Sequence, residues 1–509
     1  MKKILLILVA FAATVGVFAQ KAGKSAGYTP VTDAKELGGL RIASVADGSV
    51  YASSTYNKSF TFGGQTIAEP LDAMTSAVIV KYSADLEEQW AVTLEGNAVV
   101  TAMTTDEDGN LYAVGTMTDK VTFYGSEGSS DLTADDKNGS AFVLKVSADG
   151  KLLASKIITS QTNQEVAVSE FPFYLPDDMS PIYVTPTKVQ VSGDKVYVAA
   201  NYLGDVAELG WAGRYIAYYD FGMYLDDKST GVFSLNKDLK EASNVACVHG
   251  EQFGGTQAYP EALSFVVDNG TVYIGFFGFG DLTVASASES KDLKFESGKH
   301  PFTLATIKDG TITTMTYDAP AHYKDAKPYY IDMNLSADNI IVSGTYYGAL
   351  PFDNSKTSGK TSEANGETAY EFTSEAFVAS LSKSGLVNWA AVPGKESVGK
   401  KSVIALGQVF VATNQGVFLV EESTGNVMSL DAEGSQVADC SYNGLYFTSI
   451  VASDTDVKII AGELDPVSVD DVRPLSRTSA PTGLYMDDGK IVIVKKDKNR
   501  YSTSGALIP

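Results

Sequence analysis

The chain has 509 residues, 44% of them hydrophobic and 20% charged, with 46 Gly, 27 Tyr and 23 Phe. So much apolar content with so little charge excludes a disordered chain, and having only two cysteines, Cys247 and Cys440, excludes a disulfide-dense miniature. A formal charge of −23 repels nucleic acid and anionic lipid, which excludes sequence-independent phosphate binding.

Met1-Lys2-Lys3 precedes an apolar run from Ile4 to Phe18, and Val17-Phe18-Ala19 forms a cleavage-like triplet before Gln20. A basic start, a short apolar stretch and a small residue before the cut describe a secretory signal peptide over residues 1–19. The run is shorter than the roughly 20 residues a spanning helix needs. No later segment of the mature chain is apolar enough to span a bilayer as a helix. Residues 20–37 read as a flexible lead-in. They contain Gly23-Lys24-Ser25-Ala26-Gly27, a Gly-x-Ser-x-Gly match without the strand–turn–helix context of a nucleophile elbow.

Residues 38–464 carry a repeat. Each copy starts with a turn signal and runs into β-formers around an anchor residue. The anchors are Tyr51, Tyr112, Tyr197, Tyr273, Ile341, Phe410 and Tyr446. Three residues after the first five anchors come Ser54, Gly115, Ala200, Phe276 and Gly344. Nine residues after them come Phe60, Val121, Val206, Leu282 and Leu350. Eleven after come Phe62, Phe123, Val284 and Phe352, with Glu208 the exception in unit three. The first six units each hold a second strand pair, such as Ala77-Val78-Ile79-Val80-Lys81 followed by Trp90, or Ala376-Phe377-Val378-Ala379 followed by Trp389. Two hairpins per unit make four antiparallel strands, one blade of a β-propeller. The expected fold is therefore all-β, a single propeller. Seven blades are expected, with six as the alternative because the last anchor gap is short. Equal phase and the lack of Pro/Ser linkers argue against a tandem of small sandwiches.

Residues 465–481 read as a linker, and 482–509 as a C-terminal hairpin tail. In that tail Gly483-Leu484-Tyr485 precedes Asp488-Gly489-Lys490 and the strand Ile491-Val492-Ile493-Val494.

The segments EDGNLYAVGTMTDKVTF (107–123), SAFVLKVSADGKLLAS (140–155) and EAFVASLSKSGLVNWA (375–390) resemble the repeat of secreted bacterial β-propeller proteins, the SBBP type. The resemblance covers residues 40 to 465 and is strongest in units one, two and five. It implies the propeller fold and export, and no shared catalytic activity. The leader and the short tail look like those of exported Bacteroidota proteins, and the tail is similar to a type IX sorting tail.

The candidates for chemistry are few. His249, His300 and His322 lie at no metal-ligand spacing, so no metal or cofactor is expected, although the acidic surface leaves calcium open. Asp106, Asp108 and Asn110 match three calcium-loop positions, but Leu111 and Met117 stand where the loop needs Gly and Glu, so a hairpin turn is the better reading. The adjacent pairs Asp135-Asp136, Asp177-Asp178 and Asp226-Asp227 read as solvated loops, and no catalytic residue is nominated. Aromatic clusters are the strongest signal. Tyr202, Trp211, Tyr215, Tyr218, Tyr219 and Tyr224 crowd the long insertion of unit three, and Tyr346 and Tyr347 stand in unit five. Aromatic faces form protein-binding hot spots and stack on sugars, and long loops on rigid scaffolds carry binding. The expected function is an exported, non-catalytic binding or scaffold module in the periplasm, at the outer-membrane surface or outside the cell. Its partners would be envelope or surface proteins, or a glycan. The alternative is a secreted hydrolase or lyase acting on polysaccharide or peptide.

Overall fold

The computed structural model describes residues 24–463 except 72–75, 135–138, 162–182, 212–228, 251–257, 297–298, 319–329, 358–359, 365–366, 372, 395, 430–436 and 443–445, together with the strands between 483 and 508. The chain forms seven antiparallel four-stranded units arranged as a propeller. The first is Arg41–Ser44, Val50–Tyr56, Ser76–Tyr82 and Glu88–Glu95. The innermost strands of the next six are Ala98–Thr105, Tyr183–Ser192, Tyr259–Asp268, Tyr330–Leu335, Gly399–Ala405 and Val437–Tyr442. Each innermost strand neighbours the next, and the seventh touches the first, which settles the blade number at seven.

The core is not central. It is divided into seven clusters, each between two neighbouring blades, including the last and the first. Strand alternation explains this. In Ser76–Tyr82, Ala77 and Ile79 face blade two while Val78 and Val80 face blade seven. A third strand so enclosed is buried on both faces, and that is why these runs are almost continuously apolar.

The seventh blade takes its outermost strand from the chain start. Lys24–Tyr28 pairs antiparallel with Asp456–Glu463, from Lys24 opposite Ala461 to Tyr28 opposite Val457. Within the stretch read as a flexible lead-in, Lys24–Tyr28 is thus a strand, and it holds the last four residues of the Gly-x-Ser-x-Gly match. Local sequence gives no sign of a partner more than 400 residues away.

The residues nine and eleven after each anchor also find a role. They sit in the connection between the second and third strands of blades one to five, which folds back towards the preceding blade. Lys120–Gly125 pairs with the outer strand of blade one, and Leu282–Ala285 with that of blade three, so those two sheets have six strands. Phe60 and Phe62 pack on Tyr28 of blade seven at 5.6 and 5.9 Å between ring centres. Phe352 packs on Phe302 and Tyr317 of blade four at 4.9 and 5.5 Å. Glu208, the exception in the apolar pattern, forms an ion pair with Lys156 of blade two. Further out, Trp90 Nε1 donates to Ala148 O at 2.9 Å and Trp389 Nε1 to Glu422 O at 2.7 Å, each reaching a turn of the next blade.

Asp106 holds a hairpin turn, as the spacing predicts. Its carboxylate accepts from the backbone N–H groups of Asp108 at 3.1 Å and Asn110 at 2.9 Å. Cys247 and Cys440 are buried free thiols in blades three and seven. The tail has more strands than the single hairpin expected. It forms an antiparallel sheet of Gly483–Asp487, Lys490–Val494, Arg500–Ser502 and Leu507–Ile508. Among the described residues no helix is long and apolar enough to cross a membrane.

Candidate functional site

Up-and-down blades have two unlike faces. The turns from first to second and from third to fourth strand lie on one face; those from second to third strand and from blade to blade lie on the other. In this chain the first set is short throughout, as at Gly193-Asp194 and Asn269-Gly270. The long connections all fall on the second face, at 57–75, 118–139, 159–182, 204–228, 280–301, 318–329 and 348–373.

Of the expected binding residues, three are core. Trp211 is 1% exposed; it stacks on Tyr202 at 4.9 Å, meets Phe233 edge-on at 5.9 Å, and its Nε1 donates to Asn244 Oδ1 at 2.8 Å. Tyr202 is fully buried between blades two and three. Tyr346 is buried as well, its hydroxyl donating to Glu375 Oε2 at 3.1 Å. These three rings fill the widening gap between blades, so they offer no surface to a partner. Phe276 and Phe277 are buried in the same way. Tyr347 is half-buried at the end of its strand. Tyr215, Tyr218, Tyr219 and Tyr224 lie outside the described residues.

The chemistry the structure brings together lies instead on the propeller axis. Arg41, Ala102, Lys188, Ser264, Asp332 and Lys401 occupy one register position, each opposite the residue two beyond its blade's anchor. Asp439 completes the circle from blade seven, bonded to blades six and one. Its Oδ1 pairs with Lys401 Nζ at 2.8 Å, and its Oδ2 accepts from the Ile42 N–H at 3.0 Å. Lys188 reaches from blade three past blade four to Asp332 Oδ1 of blade five at 2.8 Å, and also donates to the Met333 carbonyl. The second Asp332 oxygen accepts from Asn334 Nδ2 and the Ser402 N–H, both at 3.2 Å.

Burial works to raise the Asp332 carboxyl, but Lys188, Lys401 and the Ser402 N–H outweigh it and hold the group below the usual carboxylate range. Burial likewise works to lower Lys401, and Asp439 outweighs it and holds the ammonium above its ordinary value. Asp332 and Lys401 are therefore charged at neutral pH. A β-bulge lies one residue before Ala102, Lys188, Lys401 and Asp439, tilting the strand where these side chains turn to the axis.

Arg41 differs from the others. Its Nε donates to the Thr101 carbonyl and its Nη1 to the Leu40 carbonyl at 2.7 Å. Among the described residues no carboxylate pairs with it. At this level the axis thus holds three cations, Arg41, Lys188 and Lys401, against two carboxylates, Asp332 and Asp439. Above it, towards the face of long connections, the inner strands of blades three, four and five all begin with tyrosine: Tyr183, Tyr259 and Tyr330. Burial pushes the Tyr330 phenol well up, Asp332 and Asp439 push it further, and Arg41 draws it back. The residue is nevertheless 36% exposed. In blade four Glu261 and His300 form a buried pair at 2.7 Å, with His300 stacked on Phe279 at 4.9 Å.

Sequence reasoning missed this ring. The signal was present, as polar residues nine or ten places before five of the anchors, but the comparison of units began at the turn and never reached the strand upstream.

No family model matches the chain, and no curated protein matches it. Solved structures do. BamB from Moraxella catarrhalis is 12% identical, with a TM-score of 0.35, over 87% of this chain and 96% of that one. A virginiamycin B lyase from Staphylococcus aureus is 11% identical, with a TM-score of 0.37, over 87% and 100%. Sqt1 from Saccharomyces cerevisiae is 10% identical, with a TM-score of 0.38, over 86% and 98%. At such identities and scores these likenesses say nothing of what the chain binds or does.

Proposed function

We propose that this chain is an exported, non-catalytic propeller of the secreted bacterial repeat type, a rigid module that binds envelope or surface proteins or glycans. One observation carries the reading. The long connections emerge on a single face of a closed ring, while the opposite face carries short turns. A rigid frame that keeps all its variable loops on one side is built to present them. Export is supported by the leader pattern over residues 1–19, and a Bacteroidota envelope by the leader together with the tail. The proposed organisation is a mature chain from Gln20, a propeller to residue 464, a linker over 465–481 and a sorting-type tail over 482–509.

The test uses the mature chain as bait for solubilised envelope proteins and for a glycan array. A variant with residues 212–228 replaced by a Gly-Ser linker runs beside it. That segment leaves and re-enters the propeller at the loop-bearing face and holds Tyr215, Tyr218, Tyr219 and Tyr224. The expected result is one protein or glycan held by the natural chain and lost by the variant. Equal capture by both, or capture by neither, refutes the role given to this segment.

A further inference from the structure

Register gives the C-terminal sheet one face made wholly of apolar residues. Leu484 lies opposite Ile493, Met486 opposite Ile491, and Tyr501 opposite both Ile493 and Leu507; directly opposed residues share a side of a sheet. The other side is mixed, with Tyr485, Asp487, Lys490, Val492, Arg500 and Ser502. Among the described residues these strands pair only with one another. A sheet of fewer than about 40 residues does not hold itself together unaided, so that face needs cover.

The exit of the chain decides what lies within reach. Third strands run towards the short-turn face, and in blade seven the third strand is Asp456–Glu463, so the chain leaves the propeller there. Residues 464–482 then reach up to about 60 Å. Two turns on that face break the pattern of their counterparts. Glu87, Lys151, Lys240 and Leu386 hold the same place after a third strand, each N–H donating to the side chain that opens the turn. Three of them are charged, whereas Leu386 is apolar and 66% exposed. Gly193-Asp194, Asn269-Gly270 and Leu406-Gly407 are matching two-residue hairpin turns of blades three, four and six. Their first residues have φ of 60, 48 and 52°, which suits Gly and Asn but not Leu, yet Leu406 stands there and is exposed. The two turns are linked. Trp389, three residues past Leu386, donates to Glu422 O at 2.7 Å, and the Glu422 N–H donates to Gly407 O at 3.1 Å. Exposed Met315 of blade four extends the strip, since a Cβ on Gly385 would lie 2.7 Å from its sulfur. Contiguous exposed apolar residues that break local turn rules mark a contact surface.

We infer that the apolar face of the C-terminal sheet docks on the short-turn face of its own propeller, over Met315, Leu386 and Leu406. Charge favours this pairing. Residues 482–509 carry five Lys and Arg against three Asp, on a chain whose formal charge is −23, and Glu421 and Glu422 lie beside the strip. The tether also favours it over a second copy, because it holds the tail near its own propeller at an effective concentration of about millimolar. The inference goes beyond the binding-module reading and leaves the loop-bearing face free, so either can fail alone.

The test is carbodiimide cross-linking of the purified mature chain, read by mass spectrometry, together with amide hydrogen exchange. The natural chain is expected to give cross-links from tail lysines to Glu421 or Glu422, and slow exchange over Gly483–Asp487 and Lys490–Val494. Leu386→Glu and Leu406→Asn are then made together. Each installs the residue type that another blade carries at that place, Glu87 in blade one and Asn269 in blade four, so the propeller is expected to keep its unfolding midpoint. The double variant is expected to lose the cross-links and to exchange its tail amides at least about tenfold faster, with exchange in the blades unchanged. If it does not fold, Ile491→Ser, which alters only the tail, carries the cross-linking comparison. Mixing 15N-labelled with unlabelled chain tells links within one chain from links between two. Links only between chains overturn the proposal. So does the absence of any link from the tail to blades five and six, or tail exchange that is equal in the natural chain and the folded double variant.

Discussion

Replacing Asp332 with Asn tests whether the charged ring holds the blades together. The natural carboxylate is 7% exposed and accepts from Lys188 Nζ at 2.8 Å, the Met333 N–H at 3.0 Å, and Asn334 Nδ2 and the Ser402 N–H at 3.2 Å. These bonds tie blades three, five and six. The Asn variant removes the charge and leaves Lys188, whose side chain is 21% exposed, beside Ser264 and Met333 with no counter-ion. Breaking one side of a buried pair costs about 3–5 kcal/mol. Equilibrium urea unfolding at pH 7 reads this as a lower midpoint at unchanged slope. The pH dependence has a definite sign. Asp332 is held below its ordinary range, so its contribution is complete above the unfolded carboxylate pKa of about 3.9 and is lost as pH falls through the lower folded value. The gap between natural chain and variant therefore closes in acid. Lys188→Met combined with Asp332→Leu is expected to cost clearly less than the sum of the single changes, because no charge is left unpaired. A loss under about 1 kcal/mol for Asp332→Asn, or single changes that add to within about 0.5 kcal/mol, would refute the reasoning.

Other consequences are as direct. Ala26→Pro places a proline ring in the middle of Lys24–Tyr28, opposite Ile459, and is expected to lower the thermal midpoint and to make blade seven the first site of proteolysis; an unchanged midpoint counts against closure by this strand. Gly115→Ala is expected to cost about 3 kcal/mol in urea unfolding, because a Cβ there would lie 2.0 Å from the Val99 carbonyl oxygen and 2.4 Å from the Phe142 ring. Trp211→Ala is expected to lose about 3–5 kcal/mol of stability, so a binding defect in that variant would track its unfolding, by circular dichroism, rather than a lost contact. Burial pushes the Cys247 thiol up to about 11 despite a hydrogen bond with Tyr202, and burial raises Cys440 further. Both should resist a thiol reagent at pH 8 until urea unfolds the chain, and fast labelling of the native protein would contradict the burial.

Much of the fold is legible in the residues because a propeller is local. Each blade is hairpins of neighbouring strands, so Asp-Gly and Asn-Gly turns, alternation and the recurring anchors declare themselves in short windows. The conserved phase at nine and eleven residues past the anchors is legible as a pattern, but not as contact with the preceding blade. The aromatic residues show the limit most plainly. Composition marks Tyr202, Trp211 and Tyr346 as unusual, yet the same rings serve a surface or a gap between blades, and only packing decides between them.

The sequence by itself determined the all-β repeat, the blade unit and the leader pattern, since these rest on turn chemistry and strand period within tens of residues. Tertiary structure alone decided three things. It settled seven blades over six, because the closing strand comes from the opposite end of the chain. It sent Trp211 and Tyr202 inward, because adjacent blades diverge and leave volume to fill. And it gathered Arg41, Lys188, Asp332, Lys401 and Asp439, from five separate blades, around one axis. Charges so far apart in sequence have no local reason to pair; they meet only because the ring closes.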